Sequence, residues 1–179
     1  MTSNGAVQNT IKNCLTVLQN DPKLGDVIRY NMLTERIDIV KPLWWEKQTS
    51  TLNDTDFNYI LLYLEDTYGL TNEKKIEKAI SIAADRCRYH PIRSFLNGLE
   101  WDGEERIRYV LHRFLGADVS EYTYQCLLLF LLGAISRVFC PGCKFEVMLC
   151  LVGGQGAGKS TFFRFLAVKD EWFTDDLKK

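Results

Sequence analysis

The chain has 179 residues, 46% of them apolar and 25% charged, with a net charge of −1 and a pI near 6.1. One or two globular domains with a real core fit those numbers. The near-neutral balance excludes a global field that attracts nucleic acid, so any such contact must be local. Residues 1–20 lack a basic stretch followed by an apolar core, so no secretory signal is evident.

In chain order, Gln8–Gln19 reads as a helix with Ile11, Cys14, Leu15 and Leu18 on one face, ended by Asp21-Pro22. Val27–Asn31 and Arg36–Val40 read as two strands. In the second, Ile37 and Ile39 alternate with Arg36 and Asp38, and the short join predicts a hairpin. Leu43-Trp44-Trp45 opens a loop-like stretch whose tryptophans are expected to pack onto a helix. That helix starts at an aspartate cap, Asp54, closes at Gly69, and turns Phe57, Ile60, Leu61 and Leu64 to one side. Asn72 caps the next, Glu73 to about Arg88, with Ile76, Ile80 and Ala83 in line. His90-Pro91 stops it and Pro91 begins another. A further helix is expected from the "WDGEERI" stretch to Gly116, and Ser120 caps a long apolar one to about Phe139. Its uncharged run, Tyr122–Ser136, is shorter than the roughly 20 residues a membrane span needs, so a buried core helix is expected.

The most informative stretch comes last. Gly153, four residues, Gly158, Lys159 and Ser160 fit the phosphate-loop pattern G-x-x-x-x-G-K-[ST]. Glycines let the backbone close on an anion with no Cβ in the way. The peptide N–H groups from Gly156 to Thr161 would face phosphate oxygens, at the positive end of a helix starting near Gly158. Gly153, Gly154, Gln155, Gly156, Ala157, Gly158, Lys159, Ser160 and Thr161 are therefore candidate nucleotide ligands. Lys159 would reach the β- and γ-phosphates, and Ser160 would offer its hydroxyl to Mg²⁺. Glu146–Val152 is expected to be the strand entering the loop and Ser160–Ala167 the helix leaving it. No catalytic residue is assigned. Twenty residues follow Lys159, and their acids, Asp170, Glu171, Asp175 and Asp176, follow no clear apolar strand, so a Mg²⁺-holding carboxylate is not evident.

The fold class expected is mainly α-helical (α+β), with a small β-hairpin near residues 27–40. A strand–loop–helix at the end would begin an α/β P-loop NTPase core. The boundary is placed near Cys140, giving 1–140 and a shortened 141–179. Six cysteines, at positions 14, 87, 126, 140, 143 and 150, suit reduced thiols and a cytoplasmic protein. Cys140 and Cys143 read as a tight turn, since zinc needs two more ligands. Arg86, Arg88 and Arg93, with Tyr89 and His90, could grip phosphate and stack a base. The favoured reading of the residues alone is cations decorating a helix C-terminus. Lys144 is a second candidate contact, with surface solubility as its plain alternative.

Taken together, "HPIRSFLNGLEWDGEERI", "LGADVSEYTYQ", "RVFCPGCKFEVMLCLVGGQGAGKSTFFRFLA" and "WFTDDL" resemble the virulence-associated protein E family. With "LWWEKQTSTLNDTDFNYILLYLEDTYGL" the resemblance reaches back to about Leu24. It implies a P-loop protein of phages, phage satellites and pathogenicity islands, similar to the helicase half of primase-helicases. ATP and Mg²⁺ would be its cofactors. Single-stranded DNA or a primase would be a partner, the complete protein would be a homo-oligomeric ring, and no membrane would be involved. Family members carry the Mg²⁺-binding acid, sensor residues and arginine finger after the loop, so this chain is expected to bind ATP–Mg²⁺ without hydrolysing it alone. The alternative is a stand-alone DNA- or protein-interaction module with a vestigial loop.

Overall fold

The computed structural model describes residues 7–176. Helix α1 (Ile11–Asn20) begins where Thr10 Oγ1 accepts the Asn13 N–H at 3.1 Å. Cys14 and Leu18, one turn apart, are buried, with Ile11 and Leu15 partly so. This is the apolar face that the spacing predicts. It packs on helix α3 (Glu73–Arg86), whose Ile76, Ile80 and Ala83 are also buried.

Strands β1 (Ile28–Asn31) and β2 (Arg36–Ile39) form the expected antiparallel hairpin, with Tyr30 opposite Ile37. A third strand, β3 (Arg88–Tyr89), pairs parallel with β1, so the sheet order is β2-β1-β3. The expected helix to about Arg88 therefore stops at Arg86. The cause is tertiary. Tyr89 donates its hydroxyl to the buried Asp38 at 2.5 Å, Asn31 donates to the same carboxylate oxygen at 2.8 Å, and the Met32 N–H binds the Tyr89 carbonyl at 2.9 Å. These cross-strand bonds outweigh the local helical preference.

Helix α2 (Asp54–Tyr68) is capped by Asn53 rather than Asp54. Asn53 and Asp56 bond reciprocally, each side chain to the other's N–H at 3.0 Å, a capping box that Asp54 cannot make from one residue further on. Gly69, at φ 68°, closes the helix in the left-handed conformation. The tryptophans pack on α2 as expected, Trp45 stacking on Tyr59 at 5.0 Å and Trp44 against Tyr63 at 4.7 Å. Asp56 is buried yet charged, because Trp45 Nε1 at 2.7 Å and Lys47 both bond it. Helix α4 (Pro91–Asn97) follows β3, with His90 as its cap.

Contacts divide the chain into two compact units, Met1–Gly98 and Leu99–Lys179. The second holds helices α5 (Ile107–Leu115), α6 (Glu121–Phe139) and α7 (Lys159–Leu166), then a 3₁₀ turn at Asp170–Trp172. Helix α5 starts six residues later than expected. Asp102 accepts the Glu104 N–H and binds Arg106 through both oxygens, and Gly103 takes φ 88°, which no right-handed helix allows. Leu111, Leu127 and Phe162 form one buried cluster joining α5, α6 and α7. The contacts therefore thin out near Gly98.

Two further expectations are corrected. Helix α6 is not a buried core helix. Only Leu127 and Gly133 are buried in it, while Leu129 and Leu132 are about half exposed. It is one helix long and apolar enough to cross a membrane, by length and composition alone. Residues 144–154 form no strand, because no second strand among the described residues of this unit offers them a ladder.

Asp21 ties the first unit together and makes its stability depend on pH. Burial would raise its pKa. The Tyr68 and Tyr63 hydroxyls, at 2.6 and 2.9 Å, and the N–H groups of Lys23 and Leu24 overcome that and hold it below the usual carboxylate range. The Asp21 hydrogen bond, aided by burial, pushes Tyr68 up to about 12. A lowered carboxylate stabilises the fold above its unfolded pKa of about 3.9, and that stability is lost as pH falls below it. The raised phenol stabilises below about pH 10 and loses its effect above. Asp21→Asn is expected to cost about 1–3 kcal/mol near neutral pH. It should also flatten the fall in thermal midpoint at both ends, as read by circular dichroism melts.

Candidate nucleotide-binding site

The loop between Leu151 and α7 is built on two left-handed glycines, Gly156 at φ 81° and Gly158 at φ 77°. An added Cβ would meet nothing within 4 Å at Gly154, Gly156 or Gly158, so backbone conformation, not crowding, requires the last two. The Phe162 N–H bonds the Gly158 carbonyl at 2.8 Å and starts α7. Among the described residues, the N–H groups of 156–161 bond no acceptor outside that helix. They lie on exposed backbone at a helix N-terminus, apart from half-buried Lys159. This donor set suits an anion.

Lys159 folds back across the loop, its Nζ donating to the carbonyls of Gly153 at 2.9 Å and Gly154 at 2.7 Å. It makes no ion pair among the described residues. The Ser160 hydroxyl is exposed and offers one oxygen, so a Mg²⁺ ion held there would take its other ligands from phosphate and water. Asp170 is committed to Arg164, which binds both its oxygens at 2.7 Å and holds its pKa below the usual range.

What holds the loop in place was not evident from the motif. Cys140–Cys143 forms the expected tight turn, closed by the Cys143 N–H on the Cys140 carbonyl at 3.1 Å. After the turn, Phe145 lies so close to Gly133 of α6 that a Cβ there would be 2.1 Å from its ring. Arg137 donates to the Phe145 carbonyl at 3.1 Å and lies over its ring. The one sequence signal was a glycine inside an otherwise apolar helix. Between α5, α6 and residues 147–152 runs a cavity of about 490 Å³. Leu115, Cys126, Leu129 and Leu151 line it, and Gly153, Ala157 and Lys159 of the loop close one end.

Arg86, Arg88 and Arg93 belong to the first unit and Lys144 to the second. Arg86 reaches Gln19 at 3.4 Å, while Arg88 pairs with Asp85 and covers the Tyr30 ring. The Tyr89 hydroxyl is taken by Asp38. Burial, then the Arg93 charge, hold the His90 imidazole below its ordinary pKa, which suits its ring nitrogen to accept the Arg93 N–H at 3.3 Å. Lys144 pairs with Glu146 at 2.8 Å, both exposed.

A glycine-rich loop on a helix N-terminus, held by a helical pair, covers the stretch in which the family resemblance was strongest. Residues 96–179 match the family model for a virulence-associated protein E-like domain. That part of the chain is similar to such a domain. The match starts at Leu96, close to the second unit's start at Leu99, and leaves Leu24–Phe95 outside it. No curated protein matches the chain.

The contact of Phe145 with Gly133 before the loop is testable. Gly133→Ala should displace Phe145 and cost about 1–3 kcal/mol, read as a lower urea midpoint for the transition of the second unit.

Proposed function

We propose that this chain is part of a DNA-replication ATPase of a mobile element, and that it binds ATP–Mg²⁺ through Gly153–Thr161. The observation carrying this is the set of N–H groups at 156–161 on the α7 N-terminus, which, among the described residues, bond nothing outside the helix and stand beside a lysine with no carboxylate partner. Lys159 would exchange the Gly153 and Gly154 carbonyls for phosphate oxygens, a stronger charge-assisted contact. Ser160 would supply the protein oxygen to Mg²⁺. The adjoining cavity of about 490 Å³ supports the same reading, since its size and apolar lining suit a small ligand. Hydrolysis needs a carboxylate that holds the metal and a group that orients water. Asp170 is tied to Arg164, so the chain binds nucleotide and does not turn it over alone. Assembly into a ring, a primase partner and a cytoplasmic location belong to this same proposal.

Titration with a fluorescent, non-hydrolysable ATP analogue and Mg²⁺ tests it. Binding that weakens at least about tenfold in Lys159→Ala is the expected result. Equal binding by both proteins, or none by either, would sink the proposal and leave an interaction module with an inert loop.

A further inference from the structure

Nearly all of the first unit lies outside the matched residues, and one cleft on it has a chemistry the fold does not need. It encloses about 320 Å³ and is lined by Pro22, Lys23, Gly25, Lys41, Pro42 and Trp44, with Val27 and Leu43 behind. The prolines stiffen both walls. Trp44 is 45% exposed, although it is among the largest apolar side chains of the unit. It is nevertheless oriented, by the edge of Trp45 at 4.7 Å and by Tyr63 at 4.7 Å. Tyr59, stacked on Trp45, presents a second exposed aromatic nearby.

Two ammonium groups accompany the indole. Lys23 Nζ lies 5.2 Å from the Trp44 ring and 5.0 Å from that of Tyr63. Lys41 Nζ donates to the Gly25 carbonyl at 3.3 Å and stands 4.0 Å from Asp26. Both members of that pair are well exposed, so it holds Lys41 only weakly. The nearest buried acid, Asp21, is spent on Tyr63, Tyr68 and two N–H groups.

A rigid, half-exposed indole flanked by two cations matches a ligand with a flat π-face and an anion on either side. We infer that the Trp44 cleft binds single-stranded nucleic acid. One base stacks on Trp44 in place of the Lys23 ammonium, which leaves the ring to meet a neighbouring phosphate, while Lys41 meets another. Stacking on an aromatic platform is tolerant of sequence, and the lysines supply the salt-dependent part. The cleft is at the small end of ligand sites, which suits one nucleotide unit of a longer strand. A proline-rich peptide could use the aromatic wall but would gain nothing from the two lysines. The Arg86–Arg93 cluster is less suited, since the Tyr89 hydroxyl is bonded to Asp38 and Arg88 already pairs with Asp85.

The test is titration of the full chain with a short oligo-dT strand, read by quenching of tryptophan fluorescence. No ATP is added, so the result is independent of the phosphate loop. Quenching is expected, with affinity lowered about tenfold in Trp44→Ala. Lys23→Gln with Lys41→Gln should reduce the salt slope of log K by about 1.4, roughly 0.7 per phosphate contact. Trp44→Phe keeps a ring and should retain most of the binding, which guards against a misfolded alanine variant. The inference is overturned if the lysine pair leaves affinity and salt slope unchanged. It also fails if Arg86→Gln with Arg93→Gln abolishes binding in place of the Trp44 variants. Salt-independent quenching by a proline-rich peptide, with none by oligo-dT, overturns it too.

Discussion

Phe162, one turn into α7, is buried against Leu111 and Leu127, and the glycine-rich loop depends on that contact. A short helix with no side-chain cap is marginal alone. Burying one aromatic ring fixes its axis, and with it the direction in which the 156–161 N–H groups point. Gly156 and Gly158 then turn the chain into the helix at positive φ. From the other side, Phe145 against Gly133 and Arg137 on the Phe145 carbonyl hold the segment entering the loop to α6. The loop is thus anchored at both ends, by apolar packing and by the Arg137 hydrogen bond, while it stays exposed itself.

The first unit uses a different device. Its fourteen-residue buried cluster is larger, yet Asp21, Asp38 and Asp56 are buried with it. Each carboxylate ties together separate segments of the chain. Asp21 takes two phenols from α2, Asp38 takes groups from β1 and β3, and Asp56 takes an indole and a lysine from the preceding loop. A buried carboxylate is costly without such partners, so each one specifies a single arrangement of what surrounds it. One consequence reaches the surface. With Tyr63 pinned by Asp21, Trp44 rests on a fixed ring and stays half exposed.

Much of this was legible in the residues. The hairpin followed from alternation, α1 and α3 from their apolar faces, and α6 from Ser120. Three of the misreadings share one cause. Asn53 capped α2 because the capping box needs Asp56 three residues on, and α5 began late because Asp102 found Arg106. Strand β3 formed only because Tyr89 reached Asp38, fifty-one residues away in sequence. In each case a specific hydrogen bond overrode a local preference of a few tenths of a kcal/mol per residue.

The sequence by itself determined the loop. Its glycines, lysine and serine answer to a chemistry acting within nine consecutive residues, so spacing alone carries the signal. It also carried the likeness of residues 96–179 to a virulence-associated protein E-like domain. Tertiary structure decided where the chain divides, that the residues entering the loop form no strand, and that α6 keeps an apolar face in solvent. Those outcomes depend on which distant segments meet. Long-range pairing leaves no periodic trace in a single chain, whereas a turn that needs left-handed glycines just before a helix writes its demands into neighbouring positions.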